Sequence, residues 1–242
     1  TYRQLSSEEA QQAIRNVDAM IENFIDDHSR ALGPSDEKFL TRSLEVTDPF
    51  AHFYIMAKVH KIPWTVRPIV SCSGSISHGL GRWLDQQLKP IVRQLPSYIS
   101  SSFDLKQKLQ RLKFTPSRVS MFTCDAVSMY TNIDTDHALE KIAVFLRTSP
   151  LCRGCLANEI IKGLRILMQN NIFQFGDTYW IQEDGTAMGT PPAPDYATLY
   201  FGIYELEIGP RFKDSLAAYF RYIDDYLGLW LHHPDPSVDL QR

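Results

Sequence analysis

The sequence lacks the features that mark a membrane protein, a disordered chain or a disulfide-rich domain. None of its apolar runs approaches the roughly 18 residues that a membrane-spanning helix needs. Hydrophobic residues make up 44% of the 242 residues and charged residues 22%, close to the usual composition of soluble proteins. Four scattered cysteines are too few for a disulfide framework and are typical of a reducing compartment. The chain is therefore expected to be globular, with one large core or two small ones.

A secretory signal is also missing, because residues 1–14 contain no basic segment followed by an apolar stretch. The first residue is Thr1 rather than Met, so we expect a piece of a longer protein whose targeting signals lie elsewhere. Only Cys152 and Cys155 have the spacing of metal ligands, and a structural zinc ion needs four. This cysteine pair is therefore interpreted as part of a loop between two helices.

The net charge of −3 is small, but the charges are distributed unevenly. From Lys58 to Arg118 the chain has eleven Lys and Arg residues against two acidic ones, whereas the rest has 14 basic and 26 acidic residues. A basic block beside an acidic remainder favours a phosphate-binding face joined to a region that holds carboxylates. On charge alone, a solvated basic helix surface explains the block equally well.

The periodicity of apolar residues predicts helices and strands that interleave irregularly, which favours an α+β fold. A capping box of Ser6 and Glu9 begins an amphipathic helix that is expected to end near Gly33–Pro34. Further helices are expected at 80–90, from 104, and at 134–147, 156–170 and 194–206. Strands are expected at 50–59, 66–71, 117–124, 172–175, 178–181 and 217–231. The aspartates interpreted as helix caps are Asp104, Asp134 and Asp136.

Three carboxylates lie within or at the end of apolar strands, where packing in the core does not explain an acidic side chain. Asp224 and Asp225 lie at the turn of an apolar hairpin, and Asp125 ends an apolar strand about a hundred residues earlier. Adjacent like charges are costly unless a cation or the solvent compensates them. Brought together by the fold, these groups could hold two Mg²⁺ ions about 4 Å apart for in-line phosphoryl transfer. A simple polar turn is the alternative for the adjacent pair.

Four segments resemble, in order, the motifs of reverse transcriptases. Tyr222-Ile-Asp-Asp225 resembles the Y-x-D-D signature, and residues 122–133 resemble the first palm aspartate motif. Residues 186–200 are similar to the loop and helix between these motifs, and residues 53–71 to the fingers hairpin. The forms of these motifs resemble those of Penelope-like retroelements, which are relatives of telomerase. They are Lys-x-His-Lys and Arg-Pro-Ile in the fingers hairpin and Ala-Met-Gly-Thr-Pro in the central loop. The resemblance covers about residues 50–231.

This resemblance implies a right-hand polymerase fold with fingers and palm, in which a short antiparallel palm sheet is backed by helices. It divides the chain into an N-terminal helical segment (1–35), fingers with palm-flanking helices (36–118) and a palm with the catalytic aspartates (119–242). Only eleven residues follow Leu231, too few for a helical thumb. We therefore expect the thumb to be absent from this chain.

The resemblance also implies roles for individual residues. The catalytic residues would be Asp125, Asp224 and Asp225, and the metal would be bound by Asp125, Asp224 and the backbone carbonyl of Ala126. The residues implied to bind the incoming dNTP are Lys58, Arg67, Ala126, Tyr130, Met188 and Gly189. The residues implied to contact nucleic acid are Lys61 and Tyr222.

Elementary chemistry agrees with several of these roles. A cation on each strand of a hairpin, as with Lys58 and Arg67, can clamp phosphate, and arginine can do so bidentately. In the family, an aromatic residue at the position of Tyr130 excludes a 2′-hydroxyl, although an ordinary core tyrosine is the alternative. Met188 and Gly189 would lie under the nascent base pair, where glycine permits close approach of the backbone. The Thr-Pro-Pro sequence that follows Gly189 departs from many relatives.

The activity implied is an RNA-directed DNA polymerase that uses Mg²⁺ or Mn²⁺, with an RNA template, a DNA primer and dNTPs as partners. No membrane is implied, the location would be nuclear in a eukaryotic host, and the oligomeric state is left open. Two alternatives stay open. One is a domesticated or inactive reverse-transcriptase-like protein that binds nucleic acid. The other is an RNA-dependent RNA polymerase, which would differ mainly at the residue that selects the sugar.

Overall fold

The computed structural model describes residues 2–60, 62–113 and 119–233. Its helices are α1 Ser7–Ser43, α2 His78–Val92, α3 Ser102–Arg111, α4 Thr135–Thr148, α5 Ala157–Met168 and α6 Ala193–Ile208. Its strands are β1 Tyr2–Leu5, β2 Ala51–Lys58, β3 Thr65–Ser71, β4 Val119–Asp125, β5 Asn171–Phe175, β6 Thr178–Gln182, β7 Leu216–Tyr222 and β8 Asp225–Leu231. No helix in these ranges is long and apolar enough to span a membrane.

The strands form two separate sheets. A five-stranded sheet has the order β1-β6-β5-β2-β3, and a three-stranded sheet has the order β4-β8-β7. Strand pairing within both sheets is antiparallel, except for the short parallel contact of β2 with β5. The predicted α+β class and the short antiparallel sheet are confirmed. The hairpin β5–β6 belongs to the same sheet as the predicted fingers hairpin β2–β3, and the proposed domain boundaries stay a prediction.

Helix α1 begins as predicted and continues further than predicted. The Ser6 hydroxyl accepts from the Glu9 amide at 3.1 Å, and the Glu9 carboxylate accepts from the Ser6 amide at 2.7 Å. Gly33, at φ 75° and ψ 166°, breaks the helix at the predicted place. A second helical segment then runs to Ser43, because Pro34 is well suited to the first position of a helix.

One predicted helix end and two predicted helix caps need correction. Helix α2 ends at Val92, two residues beyond the proline that was expected to stop it. Ser101, not Asp104, caps α3, because the Ser101 hydroxyl accepts from the Asp104 amide at 3.2 Å. Asp136 accepts from a distant glutamine side chain instead of capping α4. The cap of that helix is Asp134, as predicted, whose carboxylate accepts a backbone amide at 2.9 Å.

A single large apolar cluster lies among helices α1, α2, α4, α5 and α6. Trp83 of α2 is fully buried near its centre, against the ring of Phe24 on α1. Its indole N–H donates to Asp36 at 2.8 Å, so its only polar atom is satisfied. Side-chain hydrogen bonds join strand β7 of the three-stranded sheet to α6.

The Cys152–Cys155 segment forms a short turn between α4 and α5, as predicted. Strand β1 was not predicted. Its four residues are polar except for the last, and only pairing with β6 makes them a strand. A short polar segment has no periodicity from which a strand could be inferred.

Candidate active site

The three-stranded sheet brings the distant carboxylates to one end. Asp125, the last residue of β4, lies directly opposite Asp225, the first residue of β8. Tyr222, the last residue of β7, lies opposite Asp225 on its other side. Directly opposed residues of an antiparallel pair point to the same face, so these three side chains form one row across the sheet.

Asp224 lies in the turn between β7 and β8, beside this row. Its backbone carbonyl accepts a hydrogen bond from the Ala126 amide at 2.9 Å, which joins the end of β4 to the tip of the hairpin. The preceding residue, Ile223, has a φ of +55°, a conformation that is uncommon for a β-branched side chain. The structure thus brings together two adjacent pairs, Asp125–Ala126 and Asp224–Asp225, which are about a hundred residues apart in the sequence.

The environment of these carboxylates suits a hard divalent cation. Asp125 and Asp225 are exposed and Asp224 is half-buried, and in the described part of the chain none of the three has a hydrogen bond or salt bridge through its carboxylate. Among the same residues, no three acidic, histidine or cysteine side chains already surround one point. Mg²⁺ is commonly held by one or two carboxylates, with water and substrate phosphate supplying the other oxygens. The donor set therefore fits Mg²⁺ without forming a closed cage.

Tyr130 lies beside Asp224 in a short helical turn after β4. Burial is the main cause that raises the pKa of Tyr130 to about 12, and the neighbouring Asp224 and Asp195 carboxylates raise it further. The phenol is therefore neutral at physiological pH. The Tyr130 carbonyl accepts from the Thr186 amide at 2.7 Å, which attaches the loop before α6 to this turn.

The same loop reaches the edge of the five-stranded sheet. The Met188 carbonyl accepts from the Val70 amide at 2.7 Å. Gly189 has a φ of +112°, and a Cβ there would lie 2.5 Å from the Val70 carbonyl oxygen. The close backbone approach expected of Gly189 is thus made to β3, and this contact is sufficient to require glycine.

Lys58 and Arg67 lie on one face of the β2–β3 hairpin. Lys58 is opposite Thr65 and Arg67 is opposite Met56, so the two cations are diagonal neighbours. Ile69 shares this face, and its side chain lies against Gly189. The two cations therefore project from the same face of the hairpin that contacts the loop before α6. Lys61 lies outside the described residues.

A cavity of about 710 Å³ opens beside the carboxylates. It lies between the face of the sheet that carries Asp125 and Asp225 and the start of α3, where Leu105 contributes to its wall. Arg221, one residue before the Tyr-Ile-Asp-Asp segment, is 1% exposed on the opposite face of the sheet. This buried charge was not predicted, although an arginine within an otherwise apolar strand could have signalled it.

Several solved structures with similar folds are polymerases. Telomerase from Candida tropicalis, truncated from its C-terminal domain, has a TM-score of 0.59 at 10% identity over 84% of this chain. Telomerase from Candida albicans, in complex with a fragment of telomeric RNA, has a TM-score of 0.57 at 12% identity over 91% of this chain. The BmCPV RNA-dependent RNA polymerase at its elongation state has a TM-score of 0.56 at 14% identity over 98% of this chain.

The fold is reverse-transcriptase-like. It is shared with the palm and fingers of telomerase and of viral RNA polymerases. The chain spans 49% and 43% of the two telomerase chains and 22% of the viral polymerase chain. No protein-family model and no curated protein matches the sequence.

Proposed function

We propose that this reverse-transcriptase-like chain is the catalytic core of an RNA-directed DNA polymerase of the Penelope-like group. The observation that carries the proposal is the pairing of Asp125 with Asp225 at the end of the sheet, with Asp224 bonded through its carbonyl to Ala126. A motif-like sequence could occur by chance in one segment. Two segments about a hundred residues apart, each of which brings oxygen donors to the same end of the sheet, are much harder to explain as a surface turn.

In this proposal, Asp125 and Asp224 bind the metal together with the carbonyl of Ala126, and Asp225 contributes charge beside them. A divalent cation bound there, Mg²⁺ or Mn²⁺, would activate the primer hydroxyl and stabilise the charge on the leaving pyrophosphate. The exposed end of the sheet leaves room for the water and phosphate oxygens that such an ion also needs.

The residues proposed to bind the nucleotide come from the turn after β4, the fingers hairpin and the loop before α6. Tyr130 adjoins Asp224 and would exclude a 2′-hydroxyl through the bulk of its ring. Lys58 and Arg67 would bind the triphosphate from one face of the fingers hairpin. Met188 and Gly189 connect the two regions, because their loop joins β3 to the turn that contains Tyr130.

The proposed nucleic-acid partners are an RNA template and a DNA primer, with Tyr222 and Lys61 in contact with them. The telomerase and viral polymerase neighbours act on nucleic acid according to their names, which supports this class of partner. The Penelope-like assignment depends on the form of the sequence motifs, and the telomerase neighbours are consistent with it. In a eukaryotic host, the proposed location is the nucleus.

An RNA-dependent RNA polymerase is the second candidate. The viral polymerase matches this chain with a TM-score of 0.56, close to the 0.59 of the telomerase, so the fold alone does not separate the two activities. The bulky side chain of Tyr130 beside Asp224 favours dNTPs over rNTPs, because a 2′-hydroxyl would meet the ring.

Primer extension separates these possibilities. The purified protein is given a homopolymer RNA template, a DNA primer and Mg²⁺, with the matching dNTP or rNTP, and Asp224→Asn is the control. If the wild-type protein extends the primer with the dNTP and Asp224→Asn does not, the proposal is supported. Extension only with the rNTP would identify an RNA polymerase. Binding of the hybrid without extension by either nucleotide would support the domesticated binding protein.

A further inference from the structure

Arg221 of β7 is a buried cation three residues before Asp224 in the sequence, and its side chain is 0% exposed. Its Nε donates to Glu205 Oε1 of α6 at 2.5 Å, and its Nη2 donates to the other carboxylate oxygen at 3.3 Å. Desolvating two charges is expensive, and their attraction compensates for it only when the geometry and the remaining hydrogen bonds are good. The Glu205 side chain is 16% exposed, so most of this cost falls on Arg221, and the pair calls for a reason beyond stability.

The hydrogen bonds around this pair are extensive. Arg221 Nη2 also donates to the Thr198 carbonyl on α6 at 2.7 Å. Glu205 accepts from the Ser97 hydroxyl, and from the Tyr219 hydroxyl at 3.3 Å. Helix α6, strand β7 and the segment after α2 are thus joined by one buried polar network, which is rigid when its members are satisfied.

One bond of this network reaches the turn itself. Arg221 Nη1 donates to the carbonyl of Ile223 at 3.4 Å. That carbonyl belongs to the peptide group before Asp224, and the peptide group after Asp224 is held by the Ala126 amide. Both peptide groups that flank the Asp224 Cα are therefore tied to neighbouring elements. The direction of the Asp224 side chain depends on those two groups.

The turn needs this support, because Ile223 has a φ of +55°. Residues held in the left-handed region without glycine persist only when surrounding contacts determine them. A guanidinium presents donors in several fixed directions and can bond Glu205, Thr198 and Ile223 at once. A lysine ammonium is a compact point charge that would retain only part of this set.

We propose that Arg221 is a positioning residue that fixes the orientation of Asp224 by holding the carbonyl of Ile223 against α6. The inference rests on the proposed function, because it matters for catalysis only if Asp224 binds the metal. Arg221 itself touches neither substrate nor metal in this scheme. Its contribution passes through the backbone of the turn.

Arg221→Lys tests this inference, with Lys141→Met as the matched control. Lys141 pairs at 2.8 Å with Glu207, another glutamate of α6, and has no bond to the hairpin. Amide hydrogen exchange is measured at Ala126, whose N–H bonds the Asp224 carbonyl, and kcat and KM are measured in primer extension. We expect about 10-fold faster exchange at Ala126 and a kcat lower by roughly 10- to 100-fold, with KM for dNTP nearly unchanged. The control should leave all three values unchanged.

Unaltered exchange at Ala126 and unaltered kcat in folded Arg221→Lys would overturn the inference. If Arg221→Lys does not fold, the double variant Arg221→Gln/Glu205→Gln is used, because it leaves no buried charge unpaired. The same loss of kcat and the same faster exchange are expected from it, and wild-type values would overturn the inference. A wild-type protein that extends no primer would overturn the proposed function, while the exchange at Ala126 would still decide whether Arg221 holds the turn.

Discussion

The two hairpins that carry the proposed site differ in how they are anchored. The β7–β8 hairpin is paired with β4 on one side, and the backbone of Arg221 bonds to Ser97 and Ile99 on the other. The β2–β3 hairpin is buried only near its base, at Ala51 and Val70, and its far end exposes apolar side chains on both faces. Elements with few buried contacts open at a low cost in free energy. We infer that one hairpin holds carboxylates in place, while the other can adjust to a ligand.

The largest effect is expected at the anchored hairpin. Asp224→Asn, or Asp125→Asn on the adjacent strand, should lower primer extension by more than about 10³-fold while leaving the fold intact, because each removes the negative charge of a proposed metal ligand. Asp225→Asn is the matched comparison and should be milder, since Asp225 lies beside the proposed ligand set. Extension by Asp224→Asn at the wild-type rate with Mg²⁺ would refute the catalytic assignment.

A smaller effect is expected at the hairpin that is anchored only at its base. Arg67→Ala should raise KM for dNTP by roughly 10- to 100-fold, because a charge-assisted contact to the triphosphate is lost. Arg67→Lys keeps the charge without the bidentate geometry and should have an intermediate KM. Steady-state kinetics with one dNTP at varied concentration checks both. An unchanged KM in Arg67→Ala would leave Arg67 as a surface charge.

Tyr130 lies beside Asp224 in the turn after β4, and its substitution should affect sugar selection alone. Tyr130→Ala is expected to lower the ratio of kcat/KM for dNTP to that for rNTP by about 10-fold or more, because the ring no longer excludes the 2′-hydroxyl. Tyr130→Phe keeps the ring and should keep the ratio. If the ratio in Tyr130→Ala equals that of the wild type, Tyr130 serves only in packing.

The last effect is expected in stability and not in catalysis, at the contact between the loop before α6 and β3. Gly189→Ala should lower the free energy of unfolding by about 2–3 kcal/mol, since the methyl group meets the Val70 carbonyl and the backbone has a φ of +112°. Gly74→Ala is the control, because Gly74 has a φ of +80° with no atom within 4 Å of its added Cβ. Gly74→Ala should lower the free energy of unfolding by only about 1–2 kcal/mol. If denaturant titrations show equal losses of unfolding free energy in the two variants, the close contact of Gly189 with β3 does not contribute to the cost of the substitution.

Local pattern was sufficient to predict most elements of the fold. The capping box of Ser6 and Glu9 satisfies backbone amides at the start of its own helix. Apolar residues at helical spacing predict a helix because they form one face that can be buried. The β2–β3 hairpin could be predicted from partial alternation of apolar residues before a turn that contains proline, and the β7–β8 hairpin from two apolar runs interrupted only by Asp224 and Asp225. The candidate carboxylates could also be recognised locally, because Asp125 ends an apolar run and Asp224–Asp225 interrupt another.

Only the tertiary structure decided which of these segments meet. The register that sets Asp125 opposite Asp225 depends on pairing across about a hundred residues, which no local pattern encodes. The burial of Arg221 against Glu205 also depends on where α6 packs, since an arginine in a strand can equally well face water. Sequence spacing determines which residues share a face of one element, whereas contacts between elements depend on the packing of the whole chain.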